Sequence, residues 1–451
     1  MIWASGVLLA VSFPLWWILT GYFQQPATQN LSFTPADGWC EPATQGIGIH
    51  CFGDFQLPRI LIDAPSVWAD PNNIAVGYTP AGLIPHAAAK GLENAGLGVR
   101  GSLIAFLVAM AIAMAIPALL TALRGAKSAR GPLPLLFFFA AAAPVLIAFD
   151  RGNSVGFAVP FLLAFAIFAG RNPRWVAPAA IIAAAAVRPQ FVLLAVALIA
   201  FKRARDAVAA AVGAALVIGL SFVAWPGDRI ENIRAWWADL GAYSGSRGPD
   251  EPVINLSAAR AVYVLGENLS SGPAFVGSAG RGIQEFAVQN PGLPGIGLLL
   301  ACIAAFFVRR GSIPRPIPIV IGLALPALVP GLSFGYYLIF AVVVAVIICG
   351  PATPGHARQG APVGALAALS KGRVMHGAWA WLLVITTGLS LAPLVTRSLG
   401  VSYTPVLNQA GLLWMLVCLF PLAWGAASWV IKQANAPPGP ATKPRSHRST
   451  G

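Results

Sequence analysis

Long apolar runs alternate with short polar segments along almost the whole chain. The runs cover residues 2–23, 101–123, 133–149, 155–170, 176–187, 191–201, 207–225, 292–308, 316–333, 336–350, 378–395 and 410–431. A bilayer crossing needs about 20 apolar residues, so this pattern predicts an all-α polytopic membrane protein with about 12 transmembrane helices. Two pairs of runs are separated only by short breaks, at 188–190 and 331–335, and the predicted number is therefore 10–12.

Two polar segments, residues 24–100 and 226–291, are much longer than the others and contain many Trp, Asn, Pro and Gly residues. Loops of this length usually have a function. We predict two long extracytoplasmic loops with short interfacial helices, one of them over residues 80–95. Residues 1–431 then form a single integral membrane domain. The Pro-, Ser- and Arg-rich residues 432–451 are predicted to be a disordered cytoplasmic tail.

Composition and charge agree with a membrane protein. Only 10% of the residues are charged and 57% are hydrophobic, whereas soluble domains carry about 25% charged residues. The net charge of +14 would suggest nucleic acid as a partner of a soluble protein. With a cytoplasmic N-terminus and twelve crossings, however, the cytoplasmic segments hold 18 of the 29 basic residues and one acid, Asp206. The inside is then +17 and the outside −3. The positive-inside rule predicts an inner-membrane protein with both termini cytoplasmic and no nucleic-acid partner.

The cysteines divide between the first long loop and the apolar runs. Cys40 and Cys51 lie in the extracytoplasmic loop, where a disulfide can form, and two free thiols are the alternative. Cys302, Cys349 and Cys418 lie in apolar runs and are predicted to be small hydrophobic residues.

Asp54 is the first candidate for chemistry, because it follows Cys51-Phe52-Gly53 and precedes Phe55. Apolar and aromatic neighbours would desolvate the carboxylate and raise its pKa, which suits a general base acting on a hydroxyl. The alternative is a turn aspartate after glycine.

The second candidate is the turn Asp150-Arg151-Gly152-Asn153 between two apolar runs. Arg151 is suited to binding phosphate and Asn153 to hydrogen bonding with a sugar. Alternatively, Asp150 and Arg151 pair with each other in a simple hairpin.

Arg188 precedes Pro189 and interrupts the apolar stretch 176–201. A cation there is costly without a partner, which would be a lipid phosphate or an acid such as Asp150. Other substrate-binding candidates are Tyr336 and Tyr337, which otherwise belong to an interfacial aromatic belt, and Asn255, which otherwise caps a short helix. His86, in the predicted interfacial helix, is a further candidate. His50, Cys51 and Asp54 lack paired metal-ligand spacing, so we predict no metal and no cofactor.

Together these motifs resemble the polytopic GT-C glycosyltransferases, specifically glycosyltransferase family 87, the α-mannosyltransferase-like group. The likeness is clearest over residues 50–260. It rests on Asp54 in a long outer loop, the Arg151-Gly152-Asn153 turn, Arg188-Pro189, the basic stretch 202–205 and Asn255-Leu256-Ser257. Many members have Lys where this chain has Arg188, and Gly-Gln-x-Asn at the Arg151-Gly152-Asn153 turn.

The resemblance implies a GT-C fold and a polyprenyl-phosphate-linked sugar donor, with mannose or a related sugar. Transfer is to a glycolipid or glycan hydroxyl on the extracytoplasmic face. Asp54 is then the expected general base, and Arg188, with Arg151, the expected contact to the donor phosphate. A lipid-linked sugar flippase or other transporter is the main alternative, and a non-catalytic scaffold of envelope assembly is a third.

Overall fold

The computed structural model describes residues 52–63, 67–68, 77–125, 142–245, 248–250, 255–309, 313–349, 374–391, 396–398, 401–403 and 405–434. The apolar run 2–23, Cys40, Cys51 and residues 435–451 of the predicted tail lie outside the described residues, as does the side chain of Asp150. The proposed disulfide and the first crossing therefore stay predictions.

The described part of the chain is almost entirely helical. Its helices are α1 (Gly53–Leu61), α2 (Pro80–Leu92), α3 (Gly98–Gly125), α4 (Ala143–Arg151), α5 (Val159–Phe168), α6 (Val176–Val187), α7 (Ala195–Ala200), α8 (Ala204–Ala224), α9 (Arg229–Gly245), α10 (Ala258–Ser270), α11 (Ala274–Gln289), α12 (Leu293–Val308), α13 (Pro316–Leu328), α14 (Ile339–Cys349), α15 (Val374–Leu391) and α16 (Pro405–Ala434). Short 3₁₀ helices cover Ser154–Ala158, Pro189–Leu194 and Gly335–Leu338, and a π turn covers Glu93–Leu97. Strands β1 (Thr396–Ser398) and β2 (Val401–Tyr403) pair antiparallel, with Thr396 opposite Tyr403.

The predicted apolar runs coincide with helices wherever both can be compared. Helix α6 has the bounds of the run 176–187, and α3, α8 and α12 differ from their runs by a few residues. Both long polar loops contain helices, as predicted: α1 and α2 in the first, and α9, α10 and α11 in the second. Helix α16 continues through Ala434, so the first three residues of the predicted tail, 432–434, are helical rather than disordered.

Two stretches of the described chain are long and apolar enough to cross a membrane, namely Pro80–Ile116 and α8. Within the first stretch, positive φ angles at Gly96 (103°) and Gly98 (65°) break the helix, so α3 is the continuous part and α2 a separate helix. Helices α11 and α12 pass the same test together but are bent by 91°. The remaining apolar helices are shorter, and the number of crossings stays a prediction.

The broken stretch 176–201 reverses direction at Arg188. The Arg203 side chain, just beyond α7, donates to the carbonyl of Phe168 at the end of α5 (3.0 Å) and to that of Arg174 just before α6. The start of α6 therefore lies beside the end of α7. At the opposite end of α6, Arg188 contacts Asn153, which precedes α5 in the chain. This agrees with the prediction that the break separates two passes of the chain.

Helices α5, α6, α7, α13 and α14 pack into one continuous apolar core in which Leu162, Phe165 and Ile321 are fully buried. By contrast, the outer faces of α3 and α8 expose large apolar side chains, including Ile112 and Leu220. An apolar exterior of this kind suits a lipid environment better than water.

Candidate functional site

The turn after α4 brings Arg151 and Asn153 towards α1. Helix α4 ends in a Schellman motif, in which Gly152 N–H donates to Phe149 O (3.0 Å) and Asn153 N–H donates to Ala148 O (2.9 Å). Gly152 has φ 63°, and a Cβ there would lie 2.7 Å from the Cβ of Phe55. Glycine is therefore needed both for the left-handed turn and for the close approach of α1.

Asp54 lies in the first turn of α1, and its carboxylate is held from two sides. Arg151 Nη2 donates to Oδ1 (3.0 Å) and Asn153 Nδ2 donates to Oδ2 (2.7 Å). A helix N-terminus also favours a carboxylate. About a fifth of the Asp54 side chain is exposed (20%), so lone pairs on the carboxylate remain accessible.

The expectation of a raised pKa for Asp54 was wrong. Burial alone would raise the pKa of this carboxyl, but the Arg151 charge, the hydrogen bonds from Arg151 and Asn153, and the Arg188 charge together lower it below its usual 3.8. The aromatic neighbours of Asp54 in the chain do not decide the direction of the pKa shift. The groups that decide the pKa are about 100 positions away in sequence.

Arg188 is buried (6% exposed) between α6 and the 3₁₀ helix Pro189–Leu194. Its Nη2 donates to Asn153 Oδ1 (3.1 Å), and its guanidinium carbon lies 3.6 Å from the centroid of the Tyr78 ring. No ion pair among the described residues includes Arg188, and its Nε has no hydrogen-bond partner there. Asn153 thus separates this cation from the Asp54 carboxylate, and direct pairing with Asp54 is not observed.

His86 is fully buried, and its Nε2 is 3.1 Å from the backbone carbonyl of Asp54. The ring packs among Phe55, Tyr78 and Phe106, with centroid distances of 5.1–6.3 Å. A side chain so enclosed presents no surface to a substrate in this structure. In this structure His86 contacts the backbone of Asp54, and its predicted substrate contact stays a prediction.

Tyr336 and Tyr337 lie on the 3₁₀ helix Gly335–Leu338, which packs against α4. The Tyr337 ring contacts the Tyr336 ring, with centroids 4.9 Å apart, and the Phe191 ring, with centroids 6.5 Å apart. Phe191 in turn donates its backbone N–H to the Arg188 carbonyl (3.0 Å). The structure thus brings both predicted tyrosines to the same polar layer as Arg188, although the two residues are buried rather than part of an exposed belt.

Asn255 lies at the edge of this layer and connects the start of α10 to the second break in the apolar runs, residues 331–335. Its Oδ1 accepts from Ser257 N–H (3.0 Å) and Ser333 N–H (3.1 Å), while Ser257 caps α10. Its Nδ2 and the Ser333 hydroxyl are buried without a partner in the described chain. Asn255 therefore has a structural role, and its amide retains donor capacity for a ligand.

Tyr78 is the main site residue that the sequence did not indicate. It precedes Thr79, whose hydroxyl caps α2 by accepting from Gly82 N–H (3.3 Å), and Pro80 occupies the first turn. This N-cap signal fixes the start of α2 and so the position of the preceding tyrosine. That signal could have predicted the helix start, but not the contact with Arg188.

Within the described residues, no three His, Cys, Asp or Glu side chains are grouped as a metal site would require. His50 and Cys51 lie outside these residues, and the expectation of no metal stays a prediction.

No protein-family model, curated protein or solved structure matches the chain.

Proposed function

We propose that this protein is a membrane glycosyltransferase that moves a sugar, mannose or a related one, from a polyprenyl-phosphate donor to a glycolipid or glycan hydroxyl on the extracytoplasmic face. The observation that carries the proposal is the pairing of a buried cation, Arg188, with an ionised carboxylate, Asp54, through one shared amide, Asn153. Glycosyl transfer from a phosphate is favoured by a cation that stabilises the leaving phosphate and by a carboxylate that accepts the proton of the attacking hydroxyl.

Arg188 is suited to the donor phosphate because its charge has no direct carboxylate partner among the described residues and its Nε donor is unused. Tyr78 and Asn153 hold the guanidinium plane in place. A planar guanidinium can bind two phosphate oxygens at once. In the proposed reaction it stabilises the negative charge that develops on the phosphate as the anomeric C–O bond breaks.

Asp54 is suited to accept the proton of the attacking hydroxyl. The hydroxyl oxygen forms a bond to the anomeric carbon, the polyprenyl phosphate leaves with the bonding electrons, and the proton passes to Asp54, with inversion at carbon. The lowered pKa keeps Asp54 ionised, but it also makes the carboxylate a weak base, so the proton is transferred late in the reaction. At an oxocarbenium-like transition state the attacking hydroxyl becomes acidic only as its bond forms.

The depth of Arg188 supports a reaction protected from water. Helices α6 and α8 both start at the Arg203 end, where Asp206 of α8 and Arg174 lie 3.4 Å apart. Arg188 is only 6% exposed, and Asn153, which accepts its hydrogen bond, is fully buried. Exclusion of water from such a recess limits hydrolysis of an activated donor.

The test is transfer of radiolabelled mannose from polyprenyl-phosphate mannose to extracted envelope glycolipids by the purified protein in detergent. We expect transfer by the parent and by Arg281→Gln, a control that removes an exposed cation on α11. Asp54→Asn and Arg188→Gln are expected to lose about 10²–10³-fold in rate. Wild-type rates in both folded variants would refute the assignment.

The same assay separates the proposal from a lipid-linked sugar flippase. A flippase forms no new glycosidic bond and needs two compartments to give a measurable product. If none of a panel of polyprenyl-phosphate sugars gives a product in detergent, but sugar transport in sealed vesicles is complete, the protein is a transporter instead.

A further inference from the structure

A second polar centre lies at the other end of the helices that carry Arg188. Five basic side chains from three separate segments line one cavity of about 470 Å³. They are Arg171 and Arg174 between α5 and α6, Lys202 and Arg203 after α7, and Arg315 before α13. The volume lies within the usual range of small-molecule sites.

Among the described residues, the lining of this cavity contains no acidic side chain. Among the described residues, Asp206 is the acidic side chain that forms ion pairs with basic residues of the lining. It does not line the cavity itself. It binds Arg203 at 2.5 Å and Arg174 at 3.4 Å. The lining therefore presents basic side chains and no carboxylate, and this composition favours an anionic occupant.

Lys202 adds an independent observation. Helix α7 ends in a Schellman motif, with Lys202 N–H donating to Ile199 O and Arg203 N–H donating to Leu198 O, both at 3.0 Å. Lys202 occupies the left-handed position with φ 59°, where glycine is strongly preferred. Its ammonium group is exposed and has no partner in the described chain. Strain of this kind often marks a functional residue.

We propose that this cavity binds a phosphate group, with Lys202 as a direct ligand. The shared chemistry is a phosphate mono- or diester, from the headgroup of an anionic lipid or from a soluble phosphate. Ala200, Phe201 and Ile313 form an apolar part of the lining, on which the glycerol or first methylenes of a lipid can pack. The proposal concerns the end of the bundle opposite Asp54 and does not depend on glycosyl transfer.

The experiment measures the thermal unfolding temperature of the purified full chain in a neutral detergent with three probes. These are short-chain phosphatidylglycerol, short-chain phosphatidylcholine and inorganic phosphate. We expect phosphatidylglycerol to raise the unfolding temperature and phosphatidylcholine to have little effect. Protection by phosphatidylglycerol alone identifies a lipid headgroup as the source, and equal protection by inorganic phosphate identifies a free phosphate. Protection by neither anion would overturn the proposal.

Lys202→Gly is the decisive variant because it removes the cation and suits the left-handed turn. Without ligand it should unfold at a temperature equal to or above that of the parent. Its affinity for the protecting anion should fall about tenfold, because one charge-assisted hydrogen bond is lost. Arg205→Gln is the matched control, since this exposed cation of the same segment does not line the cavity. Equal losses in both variants would show general surface attraction and overturn the site.

Discussion

Asn153 determines how the acid and the cation of the candidate site are held apart. Its Oδ1 accepts from Val155 N–H (3.0 Å) and from Arg188, and its Nδ2 donates to Asp54. Only one orientation of the amide satisfies all three contacts. Asn153 is therefore a positioning residue between two charges, and the sugar contact predicted from the sequence would need a rearrangement of this network.

The lowered pKa of Asp54 predicts a flat pH dependence. A carboxyl group with a folded-state pKa below its unfolded value contributes stability that is present above about pH 3.8 and is lost as the pH falls through the lower folded value. The unfolding temperature difference between the parent and Asp54→Asn should therefore be constant from pH 5 to 8 and shrink only in stronger acid. Thermal unfolding at a series of pH values measures it. A difference that disappears near pH 6 would show a raised pKa instead.

The contact of Arg188 with Tyr78 predicts that lysine cannot replace this arginine fully. Lysine keeps the charge but loses the planar group that lies on the Tyr78 ring and reaches Asn153. We expect Arg188→Lys to raise the donor KM about tenfold and to retain more activity than Arg188→Gln. Initial-rate kinetics with polyprenyl-phosphate mannose measure this order. Tyr78→Phe keeps the ring and is the control, for which a near-parental KM is expected.

The sequence identified the ionisable residues of the site but not the contacts among them. Arg151, Asn153 and Arg188 lie at or between predicted apolar runs, whereas Asp54 is flanked by apolar and aromatic residues within the first long loop. Their mutual contacts join residues 35–99 positions apart, and such distances leave no periodic pattern in the chain. The same limitation produced the wrong direction for the Asp54 pKa, because the charges that lower it come from residues far away in the chain.

At the scale of elements, the same helix ending is used twice with different residues. Helix α4 ends with Gly152 in the left-handed position and α7 ends with Lys202 in it. Space explains the first choice, since a Cβ at Gly152 would touch Phe55. At position 202 an L-residue in the left-handed conformation costs about 1–2 kcal/mol, and the proposed contact of Lys202 with a phosphate gives a reason for it.

Gly152→Ala is expected to destabilise the protein by about 2 kcal/mol or more, because a left-handed turn and a 2.7 Å contact are both affected. It should also displace α1 and reduce transfer activity. Gly219→Ala is the control, since this exposed glycine within α8 has open space around it. Alanine is the better helix former, so the control should be neutral or stabilising by up to about 1 kcal/mol. Chemical denaturation in detergent measures both, and equal stability of the two variants would contradict the argument.

Helix positions were predicted well because apolar runs report burial or lipid contact directly. The run 176–187 gave α6 residue for residue. The short 3₁₀ helices at Pro189 and Gly335 were not predicted, because they arise where the chain reverses and tertiary contacts complete the backbone hydrogen bonding. The predicted helix over 80–95 and the predicted run from residue 101 leave Gly96 and Gly98 between them, and the positive φ angles of these two glycines separate α2 from α3 in the structure.

At the scale of the whole molecule, two polar layers are separated by short apolar helices. One layer contains Asp54, Asn153 and Arg188, and the other contains Lys202 and Arg315. Helix α6 connects them over about 18 Å, less than the hydrocarbon thickness of about 30 Å. If the basic layer lies at the cytoplasmic surface, the Arg188 layer is inside the depth of the membrane, and a lipid phosphate must enter from the side or from above.

The charge asymmetry predicts which layer faces the cytoplasm, and cysteine labelling tests it. Helix α8 begins beside the basic cavity, so Arg205→Cys should be cytoplasmic, whereas Glu285→Cys in α11 belongs to the predicted second outer loop; both positions are exposed. A membrane-impermeant maleimide should label Glu285→Cys in intact cells but label Arg205→Cys only after permeabilisation. Cys302 and Cys418 are fully buried, and the labelling of the parent measures the remaining background.

The orientation matters for both proposals, because a donor phosphate on the outer face and an anionic headgroup on the inner face require the two layers to face opposite compartments. Labelling of Arg205→Cys in intact cells would reverse the orientation and place the Asp54 site on the cytoplasmic side, where an extracytoplasmic acceptor could not reach it.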